Sequence, residues 1–132
     1  AGATGVLATY TLPAGTLAVD KQAVRITAWG TKSGTVAQAI LQLRFNAGTQ
    51  ITLTIESTVA AWGISWLIIR TGAATQDFYS SAVISPTTTS VASGTDAETL
   101  ANALAIDINV SSINAADTIT QEGFMVEFLN FA

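Results

Sequence analysis

The sequence contains neither cysteine nor histidine. Without cysteine the chain can form no disulfide and present no thiolate, and without histidine it cannot assemble a serine–histidine or cysteine–histidine nucleophile. Most zinc sites also require at least one of these two residue types. These absences restrict any catalysis to carboxylate, lysine or tyrosine chemistry.

Charge is also scarce, since charged residues make up 11% of the chain, whereas ordinary soluble domains carry about 25%. Only five residues are basic, no two of them are adjacent, and the net charge is -4. A nucleic-acid-binding surface needs a basic face that replaces the phosphate counterions. We therefore predict no nucleic-acid partner.

No apolar run is long enough to cross a membrane. The most apolar segment, residues 62–69, is eight residues long and already contains Gly63 and Ser65, whereas a spanning helix needs about 20 mostly apolar residues. The first residues also lack the basic region and apolar core of a signal peptide. The sequence thus predicts no membrane partner.

What the chain has in quantity is apolar residues and threonine. Hydrophobic residues make up 49% of its 132 residues, and many of the 20 threonines alternate with them, which suits a half-buried β-sheet. This length is typical of one domain with a sizeable core. We predict a single domain over residues 1–132, with residues 1–5 as a flexible N-terminal arm.

Alternation and turn residues together predict eight strands. The predicted strands cover residues 6–12, 23–29, 36–45, 50–57, 62–69, 76–85, 102–110 and 122–130. The Ser/Thr-rich segment 86–95 is predicted as a loop, and residues 95–98 match a capping box, which leaves a short helical turn open there. This pattern indicates an all-β fold, a single-domain antiparallel β-sandwich or a barrel, and the even strand count favours an eight-stranded jelly roll.

Residues 62–69 place apolar side chains on both faces of one strand. Trp62, Ile64, Trp66 and Ile68 point one way, and Gly63, Ser65, Leu67 and Ile69 point the other way. An antiparallel sheet in a monomer normally packs one face and hydrates the other. The second face must therefore lie in a layered core or against another subunit, and the candidate core or interface residues are Trp66, Leu67, Ile69 and Arg70.

Arg70 ends this apolar strand, where its guanidinium needs either water or a carboxylate. Glu56 and Asp77 are the candidate partners that lie near it in the sequence. A strand-end arginine that reaches solvent and a bidentate pair across a subunit interface both remain open.

Trp29 and Trp62 are the candidates for contact with a partner or a glycan. Each lies at a predicted strand end beside a glycine, and an exposed aromatic ring is the usual platform on which sugars stack. Tyr10, Phe78 and Tyr79 could join them.

The nine acidic residues suggest two chemical hypotheses. Two of them could form a glycosidase pair, and Asp96 and Glu98 could bind calcium. Most of the acids fall at predicted turns or strand ends, where solvated carboxylates keep a weakly charged protein soluble, and no calcium-loop spacing is present. We predict no enzyme activity, no cofactor and no bound metal.

Five segments carry a resemblance to a known family. They are LATYTLPAGTL (7–17), AVRITAWGT (23–31), LQLRF (41–45), WLIIRTGAATQ (66–76) and DTITQEGFMVEFLN (117–130). In this order they resemble a recurrent family of small structural proteins of tailed bacteriophages, and the resemblance spans nearly the whole chain. Members of that family are jelly-roll β-sandwiches that associate as trimers on the virion, and no catalytic residues come with the resemblance.

The resemblance implies a capsid decoration or cement protein on the outer surface of the virion, whose partners are its own copies in a homotrimer and the major capsid protein. Neighbouring subunits would then cover the second face of residues 62–69. The alternative is a tail- or head-fibre module that binds a host receptor or a surface glycan. The absence of a coiled-coil or shaft segment before the sandwich favours the decoration protein.

Overall fold

A computed structural model of the chain describes residues 4–56, 59–84 and 88–132, and it is a sandwich of two antiparallel β-sheets. Within these residues there are nine strands: β1 (Gly5–Leu12), β2 (Gln22–Ser33), β3 (Ala39–Phe45), β4 (Gly48–Ile55), β5 (Val59–Gly72), β6 (Thr75–Ile84), β7 (Thr88–Asp96), β8 (Leu104–Ser112) and β9 (Thr118–Asn130). Residues 1–3 of the predicted arm lie outside the described residues, and β1 already begins at Gly5.

Each sheet combines strands from both halves of the chain. The four-stranded sheet has the order β1-β8-β3-β4, and the five-stranded sheet has the order β7-β6-β5-β2-β9. β1 lies beside β9, and β4 lies beside β6 and β7, so the two sheets stack with their edges aligned. The predicted antiparallel β-sandwich is confirmed. The jelly roll is not, because β3–β4, β5–β6 and β6–β7 are hairpins that stay within one sheet.

The predicted count of eight strands is wrong, because most of the segment predicted as a loop, residues 86–95, forms the edge strand β7. Its serines, threonines and Gly94 look like loop residues, yet Gly94 lies against the ring of Phe78 on β6. A Cβ atom at Gly94 would lie 2.6 Å from Phe78 Cζ. The ring of Phe78 therefore requires a glycine at position 94. The local sequence pattern of residues 86–95 does not reveal this requirement. Residues 85–87 lie outside the described residues.

The segment between β7 and β8 is a turn. The Asn102 N–H donates to the Thr99 carbonyl at 3.1 Å, and regular alternation resumes at Leu104. The helical alternative that the capping-box pattern left open is therefore excluded.

The core lies between the sheets and is centred on β5. Trp62, Ile64, Trp66 and Ile68 all point inward and are at most 4% exposed. Across the core, the Trp66 Nε1–H donates to Gln50 Oε1 on β4 at 2.8 Å, so Trp66 links the two sheets. The same alternation turns Leu67 and Ile69 outward, where both are half-buried.

Candidate functional site

The outer surface of the five-stranded sheet is unusually apolar. The register aligns outward-facing residues of the five strands in rows, one of which is Ser93–Tyr79–Leu67–Arg25–Glu127. The large apolar residues in these rows that are most exposed, at 45–78%, are Trp29, Tyr79, Val83, Val91 and Met125. We call this surface the apolar face and define it by Trp29, Leu67, Ile69, Tyr79, Val83, Val91 and Met125.

The outer surface of the four-stranded sheet is polar by contrast. Its outward-facing residues include Thr9, Gln42, Arg44, Thr52, Thr54, Asp107 and Asn109. Arg44 donates from Nε and Nη2 to the two carboxylate oxygens of Asp107 at 2.7 and 3.2 Å. One side of the sandwich therefore has the residues of a hydrated sheet face, and the apolar face does not.

A groove of about 310 Å³ crosses the apolar face. Its lining consists of Arg25, Ser65, Leu67, Tyr79, Ser80, Ser81, Leu129 and Phe131. This volume lies at the lower end of the range for small-ligand sites, about 300–1,000 Å³. The lining combines two aromatic rings, aliphatic side chains and serine hydroxyls, so the groove suits an apolar group that carries few polar atoms.

The charges beside the groove neutralise each other. Arg25 on β2 donates from Nε and Nη2 to the carboxylate of Glu127 on β9 at 3.2 and 3.4 Å. The two side chains are 44% and 35% exposed, so the pair contributes at most about 1 kcal/mol to stability. Its main effect is that Arg25 and Glu127 neutralise each other on the apolar face.

Trp29 lies at one end of the apolar face and is held flat against the sheet. It pairs with Gly123 on β9, and a Cβ atom at Gly123 would overlap the indole ring. The ring therefore packs one side on the glycine backbone, as aromatic residues do across sheet glycines. The other side of the ring faces away from the sheet, and Trp29 is 45% exposed.

Trp62, the second predicted contact with a partner or glycan, lies in the interior and is 2% exposed. Its ring covers Gly30 on β2, where an added Cβ atom would lie 2.7 Å from Trp62 Cζ2. A surface ligand cannot reach this ring. The sequence carried the signal for this placement, because Trp62 has the same strand parity as Trp66.

The four candidate core or interface residues separate into three environments. Trp66 is fully buried in the core, and Leu67 and Ile69 lie half-buried on the apolar face. Arg70 donates from Nε to Asp20 Oδ1 and from Nη1 to the Leu17 carbonyl, both at 2.9 Å. The partner of Arg70 is thus in the β1–β2 connection, 50 residues away in the sequence, and neither Glu56 nor Asp77 takes that place.

A second apolar patch lies where the edge strands β1 and β9 meet. Tyr10 on β1 is 40% exposed, and Phe128 on β9 is 51% exposed. Tyr10 pairs with the buried residue Ile106 and Phe128 pairs with the buried residue Val24, so both rings point toward the interlayer side of their sheets. We call Tyr10 and Phe128 the β1/β9 edge.

The acidic residues take part in structural hydrogen bonds. Asp96 accepts from Gln50 Nε2 and from the Ala97 N–H, both at 2.8 Å, and Glu98 accepts from Asn46 Nδ2 at 2.8 Å. These two predicted calcium ligands therefore bind different partners. Across the described ranges, no group of three or more acidic side chains is placed to hold a metal ion.

A buried ion pair closes one end of the sandwich. Lys32 Nζ lies 3.3 Å from Asp117 Oδ2 and donates to the Thr35 carbonyl at 2.7 Å, and neither charged side chain is accessible to solvent. Asp117 Oδ1 accepts the Thr35 backbone N–H. This backbone hydrogen bond, with the smaller effects of the Thr35 hydroxyl and the Lys32 ammonium, lowers the pKa of Asp117 although burial opposes it. The pair joins the end of β2 to the loop before β9.

We expect Asp117→Asn to reduce stability at neutral pH and to flatten the acid limb of the stability curve. Because the pKa of Asp117 is lowered below 3.8 in the fold, its carboxylate stabilises the protein above that pH and loses this effect as the pH falls through the lowered value. Thermal melts from about pH 7 to about pH 2 test this. The two proteins should converge at low pH, and parallel curves would contradict the assignment.

No protein-family model matches this chain, and no curated protein and no solved structure is significantly similar to it. Among the residues described, there is no helix with the length and apolar character that crossing a membrane requires.

Proposed function

We propose that this protein is a structural protein of a bacteriophage virion, namely a capsid decoration or cement protein that binds the assembled shell as a homotrimer and stabilises it. The observation that carries the proposal is the difference between the two outer faces of the sandwich. The outer face of the four-stranded sheet carries the Arg44–Asp107 pair and exposed threonines such as Thr52 and Thr54, whereas the five-stranded sheet presents the apolar face. Monomeric proteins rarely expose a contiguous apolar patch of this kind, so other protein subunits are its natural cover.

The phage setting of the proposal comes from the resemblance of the five sequence segments, and the jelly-roll part of that resemblance extends here only to a two-sheet sandwich.

The charged residues agree with a structural role. Four of the five basic residues are paired with carboxylates inside the chain: Arg25, Lys32, Arg44 and Arg70. Each such pair holds strands or loops together, which leaves little charge for a substrate.

The mechanism is mechanical. Each copy needs only a weak contact with the shell, because a trimer held at one contact presents its two other copies at a high effective concentration. Many such contacts around a closed shell add buried area between neighbouring capsid subunits. That area opposes rupture of the shell by the pressure of the packaged DNA.

Particles assembled without the protein test this function. They should release DNA at a lower temperature and after milder osmotic shock than complete particles, and adding purified protein back should restore the resistance. Adsorption to host cells should be unchanged. Particles that keep full heat resistance but fail to adsorb would overturn the decoration function in favour of receptor binding.

The second candidate is a fibre module that binds a glycan, and the observation that favours it is the flat, half-exposed ring of Trp29 on Gly123. This function requires the isolated protein to bind host glycans without the capsid. Trp29→Ala should then abolish binding, while Met125→Ala, on the same face, should retain it. Equal binding by both variants would remove Trp29 as the platform.

A further inference from the structure

We propose that the trimer assembles edge to face: the β1/β9 edge of one copy packs into the groove on the apolar face of the next copy. This inference rests on the homotrimer of the proposed function and identifies the surfaces that form it. It makes the second copy of this chain the occupant of the groove.

Symmetry is the first argument. A ring of three identical subunits requires a heterologous interface, in which two different patches of the same subunit meet. This chain has two separate apolar patches, the apolar face and the β1/β9 edge. A two-fold dimer through the apolar face would cover only one of them, whereas an edge-to-face contact repeated around a three-fold axis covers both.

Shape is the second argument. The groove is concave, with a volume of about 310 Å³, and an apolar cavity of about 150 Å³ already accepts a benzene molecule. The β1/β9 edge presents two aromatic rings, Tyr10 at 40% and Phe128 at 51% exposure. The groove therefore has room for an aromatic side chain from the neighbouring edge.

Charge is the third argument. Neither of the two residues of the β1/β9 edge is charged, and Arg25 in the groove lining is already paired with Glu127. Docking the edge into the groove therefore buries no unpaired charge. A buried unpaired charge would strongly oppose association.

The size of the surface sets how much of it one contact can use. Five strands about 4.8 Å apart and about seven residues of about 3.3 Å each give the apolar face about 19 by 23 Å of backbone, or about 440 Å². A standard interface buries about 800 Å² on each partner. The apolar face thus supplies about half of the area of a standard contact, and the edge of the neighbouring copy must extend beyond it.

The edge strand β9 adds a directional element. It spans 13 residues from Thr118 to Asn130 and pairs on one side with β2. It lies at the outer end of the strand order in the described sheet. A long edge strand of this kind, with Phe128 exposed on its interlayer side, is a surface at which another chain can pair or pack. In the proposed trimer the neighbouring copy covers this edge.

The absence of cysteine from the chain permits a clean cross-linking test. Ser81→Cys places a thiol in the groove, and Ala8→Cys places one on β1, two residues from Tyr10 and on the same side of that strand. With a short bis-maleimide linker, the double variant should give cross-linked dimers and trimers at two and three times the chain mass of 13.6 kDa. Each single variant should remain a monomer on a denaturing gel. Dimers from Ser81→Cys alone would show a two-fold, face-to-face contact and overturn the inference.

A charge placed in the groove provides a second test. Ser65→Arg should raise the concentration at which the trimer dissociates about a hundredfold, since it would bury an unpaired charge. Thr52→Arg, on the polar face of the four-stranded sheet, is the matched control and should leave association unchanged. If Ser65→Arg still forms trimers and the double variant gives no cross-links, these two surfaces do not form the interface. The homotrimer of the proposed function would then stand, with other surfaces in contact. A wild-type protein that scatters light as a monomer at micromolar concentration would reject the trimer itself.

Discussion

Replacing Trp66 with alanine is expected to lower the free energy of unfolding by about 3–5 kcal/mol. The side chain is fully buried between the sheets, and its removal leaves a cavity that the packed neighbours cannot fill. It also removes the donor from Gln50 Oε1, and Gln50 in turn donates to Asp96 at 2.8 Å. The loss of one ring therefore weakens a link that runs from β5 through β4 to the end of β7.

Trp29→Ala is the matched control, because it deletes the same ring from the outer face of the same sheet. Its side chain is 45% exposed, so we expect the cost to stay below about 2 kcal/mol. Denaturant melts of both variants should be made at one protein concentration, since association of the folded chains adds to the apparent stability. Equal, small effects would reject the placement of Trp66 in the core.

The second large effect is expected from Gly30→Ala, which should destabilise the protein by about 1–3 kcal/mol or more. Gly30 lies at the irregularity in the β2–β9 register, where the backbone of β9 approaches closely. An added Cβ atom would overlap the Thr120 carbonyl oxygen and would lie 2.7 Å from Trp62 Cζ2. Backbone and indole ring would both have to move, which a packed interior resists.

Gly63→Ala, on the neighbouring strand β5, is the control for this prediction. A Cβ atom at Gly63 meets nothing within 4 Å, so alanine should be tolerated there and should match or slightly exceed the wild-type stability. Thermal melts of the two variants compare the positions directly. A Gly30→Ala protein as stable as Gly63→Ala would mean that β9 does not approach β2 as described.

The two-faced character of β5 links stability to assembly. Its inward residues, such as Trp66, hold the sheets together, and its outward residues, Leu67 and Ile69, form the centre of the apolar face. Variants of the inward residues should therefore lower the free energy of unfolding, whereas outward charges such as Ser65→Arg should separate folded subunits. This division allows the proposed trimer to be tested without loss of the fold.

Much of the strand pattern could be predicted from the sequence. Alternation of apolar residues with threonine, as in residues 50–55, depends only on the period of two in a strand and on which face is buried. The turn between β3 and β4 falls in the gap between the predicted strands 36–45 and 50–57, and its residues Asn46 and Ala47 have positive φ values, 51° and 66°. Strand β7, which the sequence pattern did not predict, has no such alternation. Its small residues are required by packing against the neighbouring strand.

The candidate site was only half predictable. The outward position of Leu67 and Ile69 followed from parity along β5. Parity also placed Trp62 on the side of Trp66, yet the strand-end position made Trp62 a candidate surface contact, and it is 2% exposed. The polarity of the opposite sheet, the groove and the β1/β9 edge required the strand order, since residues from β2, β5, β6 and β9 meet in each row of the apolar face.

By itself, the sequence determined that this protein is built from antiparallel β-strands, with apolar side chains on both faces of residues 62–69, because strand alternation is a property of neighbouring residues. Only the tertiary structure decided which strands are adjacent and which charges pair. Arg70 binds Asp20, 50 residues away, and Asp117 accepts from Thr35, 82 residues away. Such partners are selected by the packing of whole sheets, in which backbone hydrogen bonds and side-chain volume act together, and no local pattern carries that information.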